Sequence, residues 1–237
     1  MRGKLILIEG TDCSGKATQA NRLVEELENN GIKVKQTSFP NYDSPTGKII
    51  GGPYLGKSHI SNAWFPEGAP AVDPLVASLY YAADRRYNSK TIIDWLNKGY
   101  TVVLDRYMTS NMAHQGGKIR SKEKRIEMYK WLEKLEYEML EIPKPDIKIF
   151  LHVPFEYSLE LKKNRLEALD ELEKDEASMR NAEEAYLEMA ELYDFYKINC
   201  IKDGKMKTIE DISKNIRKFV LNELNKQKKE KDTKIFI

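Results

Sequence analysis

Residues 10–18 combine glycines, a lysine and hydroxyl side chains at a spacing that suits phosphate chemistry. The segment reads Gly10-Thr11-Asp12-Cys13-Ser14-Gly15-Lys16-Ala17-Thr18. In such a P-loop, backbone N–H groups converge on one anion, and the lysine after the second glycine meets the terminal phosphates of a nucleotide. The serine or threonine that normally follows the lysine and binds Mg²⁺ is replaced by Ala17, with Thr18 one position later. We expect this segment to bind nucleotide phosphates; a glycine-rich turn without a ligand is the alternative.

Asp105 and Arg106 form a second pair with useful chemistry. They follow an apolar run, Thr101 to Leu104, that predicts a strand. Open α/β sheets bind their ligands at the carboxyl ends of strands, which is where this pair would lie. A guanidinium binds phosphate oxygens in a planar, bidentate way and stays charged. The pair therefore suits a phosphate site, although a buried structural ion pair would have the same sequence.

Short apolar runs predict the strands that must position these residues. They are rich in Val, Ile or Leu and are bounded by Gly, Pro or charged residues. The five runs are Lys4 to Glu9, Lys33 to Ser38, Thr101 to Leu104, Asp146 to Val153 and Ile198 to Lys202. Amphipathic segments lie between them, and this alternation predicts an α/β fold with a parallel sheet covered by helices on both faces.

Several helices have recognisable ends. The first runs from Lys16 to Glu28. Asp73-Pro74 is an N-cap and first-turn proline for a helix that ends at Lys98, before Gly99. A third covers Lys122 to Leu140, and the last has apolar residues at helical spacing, namely Ile209, Ile212, Ile216, Phe219 and Val220. After Leu224 the chain is polar and Lys-rich, and we expect residues 226–237 to be a frayed surface tail.

The composition limits the classes of function. The chain has 237 residues, 41% of them hydrophobic, which suits one domain with a large core, expected over residues 1–225. Basic and acidic residues nearly cancel, leaving a net charge of +2, so no global field recruits nucleic acid. No apolar run approaches the ~20 residues of a membrane span. With two cysteines and no secretory signal peptide, we expect a reducing cytoplasm.

Several motifs in register resemble those of thymidylate kinase, a P-loop nucleoside monophosphate kinase. They are Gly10 to Gln19, Phe39-Pro40-Asn41-Tyr42, Ala83-Asp84-Arg85, Asp105-Arg106-Tyr107, Ser110-Asn111 and Gln115-Gly116. The resemblance covers nearly the whole chain. It implies a P-loop NTPase fold with a five-stranded parallel sheet and a lid. It also implies ATP as phosphoryl donor, dTMP as acceptor, Mg²⁺ as cofactor, and a homodimer.

The same resemblance assigns roles to residues near the phosphates. Lys16 and Arg106 stabilise charge in the transfer, and Arg106 also meets the acceptor phosphate. Asp105 lies at the metal, together with Thr18 in place of the missing loop hydroxyl. Asp12 lies near the 3′-hydroxyl of the acceptor, although capping of the following helix would also explain an aspartate there.

For the acceptor nucleotide, the family pattern points to aromatic and hydrogen-bonding side chains. Phe39 packs on the base and Tyr42 reaches the acceptor phosphate, with Asn41 standing where many relatives have arginine. Tyr81 and Arg85 lie four residues apart and project from one helix face. The resemblance implies that Tyr81 stacks on thymine while Arg85 donates to its carbonyl. Two further positions complete the set, namely Asn111 at the pyrimidine edge and His114 near the sugar, where many relatives have tyrosine.

The charged stretch from about residue 162 to residue 180 lies where the resemblance places a lid. Phosphoryl transfer depends on positioning, charge stabilisation and exclusion of water, so a basic cover is expected. Some relatives carry a catalytic arginine at the loop position of Cys13, and we therefore expect Arg165 in the lid to supply it. A solvated helix face is the alternative for most of this acidic and basic stretch.

Three other functions stay open at this point. A kinase of the same architecture acting on another monophosphate is the nearest. A nucleotide-binding regulator without catalysis is favoured by Ala17, Cys13 and His114, and a nucleic-acid-binding module rests only on the Lys-rich tail. The set Tyr81, Arg85 and Asn111 favours thymine.

Overall fold

Five parallel strands form the central sheet of the structure, a computed structural model that describes residues 2–163 and 170–235. The strands are β1 (Leu5–Gly10), β2 (Val34–Ser38), β3 (Thr101–Asp105), β4 (Ile147–His152) and β5 (Tyr196–Asn199). Their order across the sheet is β2-β3-β1-β4-β5, and every neighbouring pair is parallel. The carboxyl ends of β1 and β3 therefore lie side by side at the centre of the sheet, where such folds bind ligands.

Alternate residues of β1 serve two separate cores. Leu5 and Leu7 pack on one face of the sheet, in a cluster that includes Phe150. Ile6 and Ile8 pack on the other face, and all four side chains are at most 1% exposed. Because both faces are covered, the strand has a continuous apolar sequence rather than an alternating one.

Helices cover both faces of the sheet. The bounds are α1 (Lys16–Asn29), α2 (Pro45–Ile49), α3 (Pro74–Asn97), α4 (Met108–Gly116), α5 (Lys122–Glu133), α6 (Phe155–Lys163), α7 (Glu176–Leu192) and α8 (Ile209–Ile235). Helices α1 and α8 cover one face, and α3, α4, α5 and α7 contribute to the core on the other. Side chains are described in these helices except for residues 163 and 227–235.

The ends of α3 follow the predicted capping. Asp73 accepts hydrogen bonds from the backbone N–H groups of Leu75 and Val76, and Pro74 occupies the first turn. The helix ends at Asn97, and Gly99 adopts a left-handed conformation just beyond it. This long helix places Tyr81 and Arg85 in its third and fourth turns.

The helix predicted over Lys122 to Leu140 changes its hydrogen bonding in its second half. Ser121 caps α5, which ends at Glu133 and continues as a π-helical segment, Lys134–Met139. There the backbone N–H of Leu140 donates to the carbonyl of Leu135, five residues back. A second π-helical segment, Ile50–Tyr54, follows α2.

Two predictions near the C-terminus need correction. The fifth strand lies at Tyr196–Asn199, earlier than predicted, because these residues pair with β4, whereas Ile201–Lys202 (β6) forms a separate antiparallel hairpin with Lys205–Met206 (β7). The backbone of α8 continues as a helix to Ile235, within the segment that the sequence predicted as a tail. Within the part of the chain that is described, no helix has the length and apolar character needed to cross a bilayer.

Candidate active site

The phosphate-binding loop connects β1 directly to α1. Gly15 caps α1 in a left-handed conformation, φ +79°, which glycine adopts without steric cost. A Cβ atom at Gly10 would lie 2.5 Å from the carbonyl oxygen of Leu151 on β4. Both glycines of the motif are therefore required by the backbone. Thr11 fastens the loop to the end of β4 by donating to the carbonyl of Val153 at 2.7 Å.

Lys16 is buried at the start of α1 and turns back over the loop. Its Nζ donates to the carbonyl oxygens of Gly10 at 3.0 Å and Thr11 at 2.8 Å. Burial, reinforced by the nearby charge of Arg106, lowers the pKa of this ammonium to about 8. The buried hydroxyl of Ser14 has no hydrogen-bond partner among the described residues. The loop thus holds a cation and a hydroxyl group where an anion would bind.

Arg106 lies at the carboxyl end of β3, beside the phosphate loop. Its Nη2 donates to the Asp12 carboxylate at 3.0 Å, and its Nη1 to the hydroxyl of Tyr186 at 3.2 Å. Burial opposes ionisation of Asp12, but the Arg106 guanidinium and other nearby cations hold the pKa of this carboxyl well below its usual range. Oδ1 of the neighbouring Asp105 is buried and has no hydrogen-bond partner in the described part of the chain.

A buried glutamate organises the backbone around Arg106. Glu9, on β1, is fully buried and accepts hydrogen bonds from the backbone N–H groups of Tyr107 and Ser110, both at 2.9 Å. The hydroxyl of Ser110 donates to the other Glu9 oxygen at 2.7 Å and lies 3.0 Å from the hydroxyl of Tyr186. A continuous chain of polar contacts therefore leads from Glu9 to the Arg106 side chain. The backbone of Arg106 is left-handed, with φ +66°.

One cavity of about 500 Å³ connects the phosphate loop to a more apolar end. Most of the candidate residues named from the sequence meet there. Those that line it are Asp12, Cys13, Ala17, Phe39, Tyr42, Tyr81, Arg85, Asp105, Arg106, Asn111 and His114. Loop and acceptor candidates, from Asp12 to His114 in sequence, thus share one space of the size typical for small-molecule sites.

The apolar end of the cavity combines aromatic rings with hydrogen-bond donors. Phe39 is buried and its ring lies 5.5 Å from that of Tyr107. Arg85 is 2% exposed and pairs with Glu136, a residue of the π-helical segment after α5. Nδ2 of Asn111 is buried and has no acceptor among the described residues. This end therefore offers ring faces for stacking and N–H groups for a carbonyl.

Asn41 and His114, two departures from the family pattern among the acceptor residues, have different surroundings. Asn41 points towards α3, where its Nδ2 donates to Asn88 at 2.9 Å and its backbone N–H to Asp84. His114 lies in the cavity wall, edge-on to Tyr186, with ring centroids 5.6 Å apart. Burial, together with the neighbouring cation of Arg106, lowers the pKa of His114 to about 4 although Asp12 opposes this shift. His114 is therefore neutral near pH 7.

Seven predicted residues are not in the described cavity wall, namely Gly10, Thr11, Ser14, Gly15, Lys16, Thr18 and Arg165. The side chain of Thr18 is exposed on α1, whereas Ala17 lines the cavity. Arg165 lies outside the described residues. The range expected for the lid begins in α6 and ends in α7, and only part of it is described. Its function as a lid stays a prediction.

Several residues of the site were missed in the sequence. Asp170, Glu173 and Lys57 line the cavity, and Lys57 lies 3.5 Å from the Asp170 carboxylate. Burial, followed by the charge of Glu173, raises the pKa of Asp170. Glu9 had a signal in the sequence, since it is the one charged residue in an otherwise apolar strand. Asp170 and Glu173 lay in the stretch expected for the lid but were not named as site residues, and Lys57 had no signal.

Comparison with known proteins identifies the family. A sequence profile of thymidylate kinase matches residues 8–216. The chain belongs to the thymidylate kinase family. It is 33% identical over 230 residues to a probable thymidylate kinase of Pyrococcus horikoshii, covering 94% of this chain and 98% of the relative. It is 31% identical over 219 residues to the thymidylate kinase of Plasmodium falciparum, covering 92% and 90%.

A solved structure gives the same answer for the fold. The thymidylate kinase of Candida albicans superposes with a TM-score of 0.72 and 26% sequence identity, covering 94% of this chain and 93% of that one. The family, the P-loop NTPase fold and the phosphotransferase class expected from the motifs are thus confirmed.

Proposed function

We propose that the chain transfers the terminal phosphoryl group of ATP to dTMP, forming dTDP and ADP. The cavity that joins the phosphate loop to an aromatic, donor-lined end carries this proposal. Arg106 lies between the two ends and contacts Asp12 of the loop. Such an arrangement holds two nucleotides with their phosphates facing each other, as phosphoryl transfer requires.

At the donor end, the loop amides and Lys16 bind the ATP phosphates. Lys16 exchanges its present acceptors, the carbonyls of Gly10 and Thr11, for oxygens of the transferred group. Arg106 faces the acceptor phosphate and stabilises the charge that develops on the moving phosphoryl oxygens. The hydrogen bonds from Arg106 to Asp12 and Tyr186 hold the guanidinium in place before substrate binds.

The donor set fits a Mg²⁺ ion that is shared with substrate phosphates. No cluster of three or more His, Cys, Asp or Glu side chains occurs among the described residues, but Mg²⁺ is commonly held by one or two carboxylates with phosphate oxygens and water. The buried, unpartnered Oδ1 of Asp105 is suited to this role. When bound, the ion screens the charge on the phosphates. Thr18, exposed on α1, remains the second proposed ligand.

At the acceptor end, Phe39 and Tyr81 provide aromatic surfaces for the base. Arg85 and Asn111 both present N–H groups, which match the carbonyl oxygens of thymine. Tyr42 is assigned to the acceptor phosphate, and Asp12 and His114 to the sugar. The assignment of Arg165 to the transition state rests on the sequence alone.

A coupled assay of ADP release across the natural deoxynucleoside and ribonucleoside monophosphates tests the proposal. We expect Mg²⁺-dependent turnover with dTMP as the preferred acceptor. Preference for a purine monophosphate would contradict the acceptor, and ATP binding without turnover would contradict the enzyme. The breadth of acceptor choice is worth measuring because the Candida albicans relative is described as having a broad substrate specificity.

We further propose that the active form is a homodimer that pairs through the outer face of α3. Leu75, Leu79 and Tyr87 follow one stripe of this helix and are 45%, 51% and 59% exposed. Leu79 and Tyr87 also line a groove of about 430 Å³ with Leu135 and Leu140. An exposed apolar stripe suits a two-fold interface, in which the helix meets its own copy.

Light scattering after gel filtration tests the dimer. We expect twice the mass of the chain for the wild type and the mass of one chain for Leu79→Glu. Leu192→Glu, which changes a similarly exposed leucine on α7, is the control and should leave the mass unchanged. A monomeric wild type would contradict the proposal. The cytoplasmic location stays a prediction from the sequence.

A further inference from the structure

Arg85 and Glu136 form a buried ion pair with two hydrogen bonds. The two side chains are 1% and 0% exposed. Nε of Arg85 donates to one carboxylate oxygen at 2.5 Å, and Nη2 donates to the other at 2.6 Å. This two-point contact fixes the plane of the guanidinium as well as its position.

We propose that Glu136 determines base specificity by locking Arg85, so that its Nη1 group can donate only to a carbonyl oxygen of the base. The inference rests on the proposed function, because it requires a base at the apolar end of the cavity. Glu136 itself does not line the cavity, and we assign it as a positioning residue.

The hydrogen-bonding capacity of Arg85 gives the selectivity. A guanidinium has five N–H donors and no acceptor. Glu136 occupies the edge formed by Nε and Nη2, while Nη1 has no acceptor among the described residues and Arg85 lines the cavity. A carbonyl oxygen at this point would accept from Nη1. An amino group there would face a donor, and both groups would lose their hydrogen bonds to water without replacement.

The charge of Glu136 supports the same selection. A buried guanidinium without a counter-ion would attract the acceptor phosphate to the wrong end of the cavity. Because the carboxylate neutralises Arg85, the phosphate is attracted to the end of the cavity that holds Arg106. The pair therefore favours one orientation of the acceptor as well as one base edge.

The local backbone explains how a carboxylate reaches this point. Met128 and Leu132 of α5 are buried at four-residue spacing, and Glu136 continues that stripe into the π-helical segment. A charged residue on the buried stripe of a helix requires a partner in the core. Arg85 on α3, 51 positions away in sequence, is that partner.

The test compares Glu136→Gln with the wild type for dTMP and dCMP. The amide of glutamine can accept only one of the two hydrogen bonds, because its NH₂ group faces an Arg85 donor. We expect the KM for dTMP to rise about tenfold or more, with kcat within threefold and the KM for ATP unchanged. The ratio of kcat/KM for dTMP to that for dCMP should fall at least tenfold.

Glu188→Gln is the matched control. Glu188 forms a similar two-point pair with Arg125, with contacts of 3.4 and 3.0 Å, and it does not line the cavity. This variant should lower Tm without changing the KM for either monophosphate. If Glu136→Gln also changed only Tm, the pair would be structural and the inference would be wrong. Glu136→Asp, which keeps the charge, should recover part of the dTMP preference.

A measurement on the wild type makes the inference testable even if the variants do not fold. dTMP and 5-methyl-dCMP share the methyl group but differ at the 4-position, which is a carbonyl in dTMP and an amino group in 5-methyl-dCMP. They also differ at N3, which carries a proton only in dTMP. We expect the wild type to prefer dTMP at least 100-fold in kcat/KM, and similar values would overturn the inference. If the wild type did not phosphorylate dTMP, the proposed function itself would fail, an outcome distinct from an active enzyme without this preference.

Discussion

Arg106 donates a hydrogen bond from Nη2 to the Asp12 carboxylate at 3.0 Å, and this ion pair joins the end of β3 to the phosphate loop. The other arm of the guanidinium contacts Tyr186, which is linked to Glu9 through Ser110. The two arms are thus fixed by separate elements. Such a cation is aligned before the substrate binds, so little reorganisation is required during transfer.

Arg106→Lys tests whether this alignment, rather than the charge alone, supports catalysis. Lysine keeps the positive charge but provides only a single donor point and cannot contact Asp12 and Tyr186 together. We expect kcat to fall about 100-fold or more in steady-state assays. Arg125→Lys, which alters an arginine outside the cavity, should stay within threefold of the wild type. A similarly small effect at Arg106 would show that the contacts of its guanidinium with both Asp12 and Tyr186 are not needed for catalysis.

The lowered pKa of Lys16 predicts a pH dependence. The free enzyme loses the ammonium charge as the pH rises through about 8, so kcat/KM for ATP should decrease above that pH. The loss is on the alkaline side because the protonated form binds phosphate. Profiles measured from pH 6.5 to 9.5 would show it.

Lys16→Arg provides the control for this profile. Arginine stays charged throughout the range, so the alkaline decrease should disappear even if overall activity is lower. An unchanged alkaline limb in this variant would assign the titration to another group.

Ala17 and Thr18 make the magnesium ligand testable. Ala17 lines the cavity near the start of α1, at the position where a P-loop normally carries its metal-binding hydroxyl. We expect Ala17→Ser to lower the Mg²⁺ concentration needed for half-maximal activity several-fold. Thr18→Ala should raise that concentration if Thr18 is the substitute ligand. No effect of Thr18→Ala would leave Asp105 as the protein ligand, with phosphates and water completing the shell.

The sequence predicted those features that depend on neighbouring residues. The phosphate loop and the ends of α3 follow from local motifs, and the apolar runs identify four of the five strands within about two residues. Tyr186 and Glu136 could not be predicted, because their partners lie 80 and 51 positions away and only packing brings them together. For Glu136, the buried stripe through Met128 and Leu132 indicates burial but does not name the partner.

The lowered pKa of His114 predicts sensitivity to mild acid. Its pKa is about 4 in the folded chain, against the ordinary histidine value of 6.5 in the unfolded chain. Between these two values the unfolded chain therefore binds more protons than the folded one. Stability therefore rises with pH across this window and is lost as the pH falls from 6.5 towards 4. The loss from this residue is on the order of 2 kcal/mol.

His114→Gln removes the titrating group while keeping a polar side chain. Urea unfolding at pH 7.0 and 4.8 should show a smaller decrease in the free energy of unfolding for this variant than for the wild type. Asp12 does not interfere, because its stabilising effect is lost only below its usual pKa of 3.8. His59→Gln, at an exposed position, should match the wild type at both pH values. Equal acid sensitivity in His114→Gln would mean that other groups cause the loss.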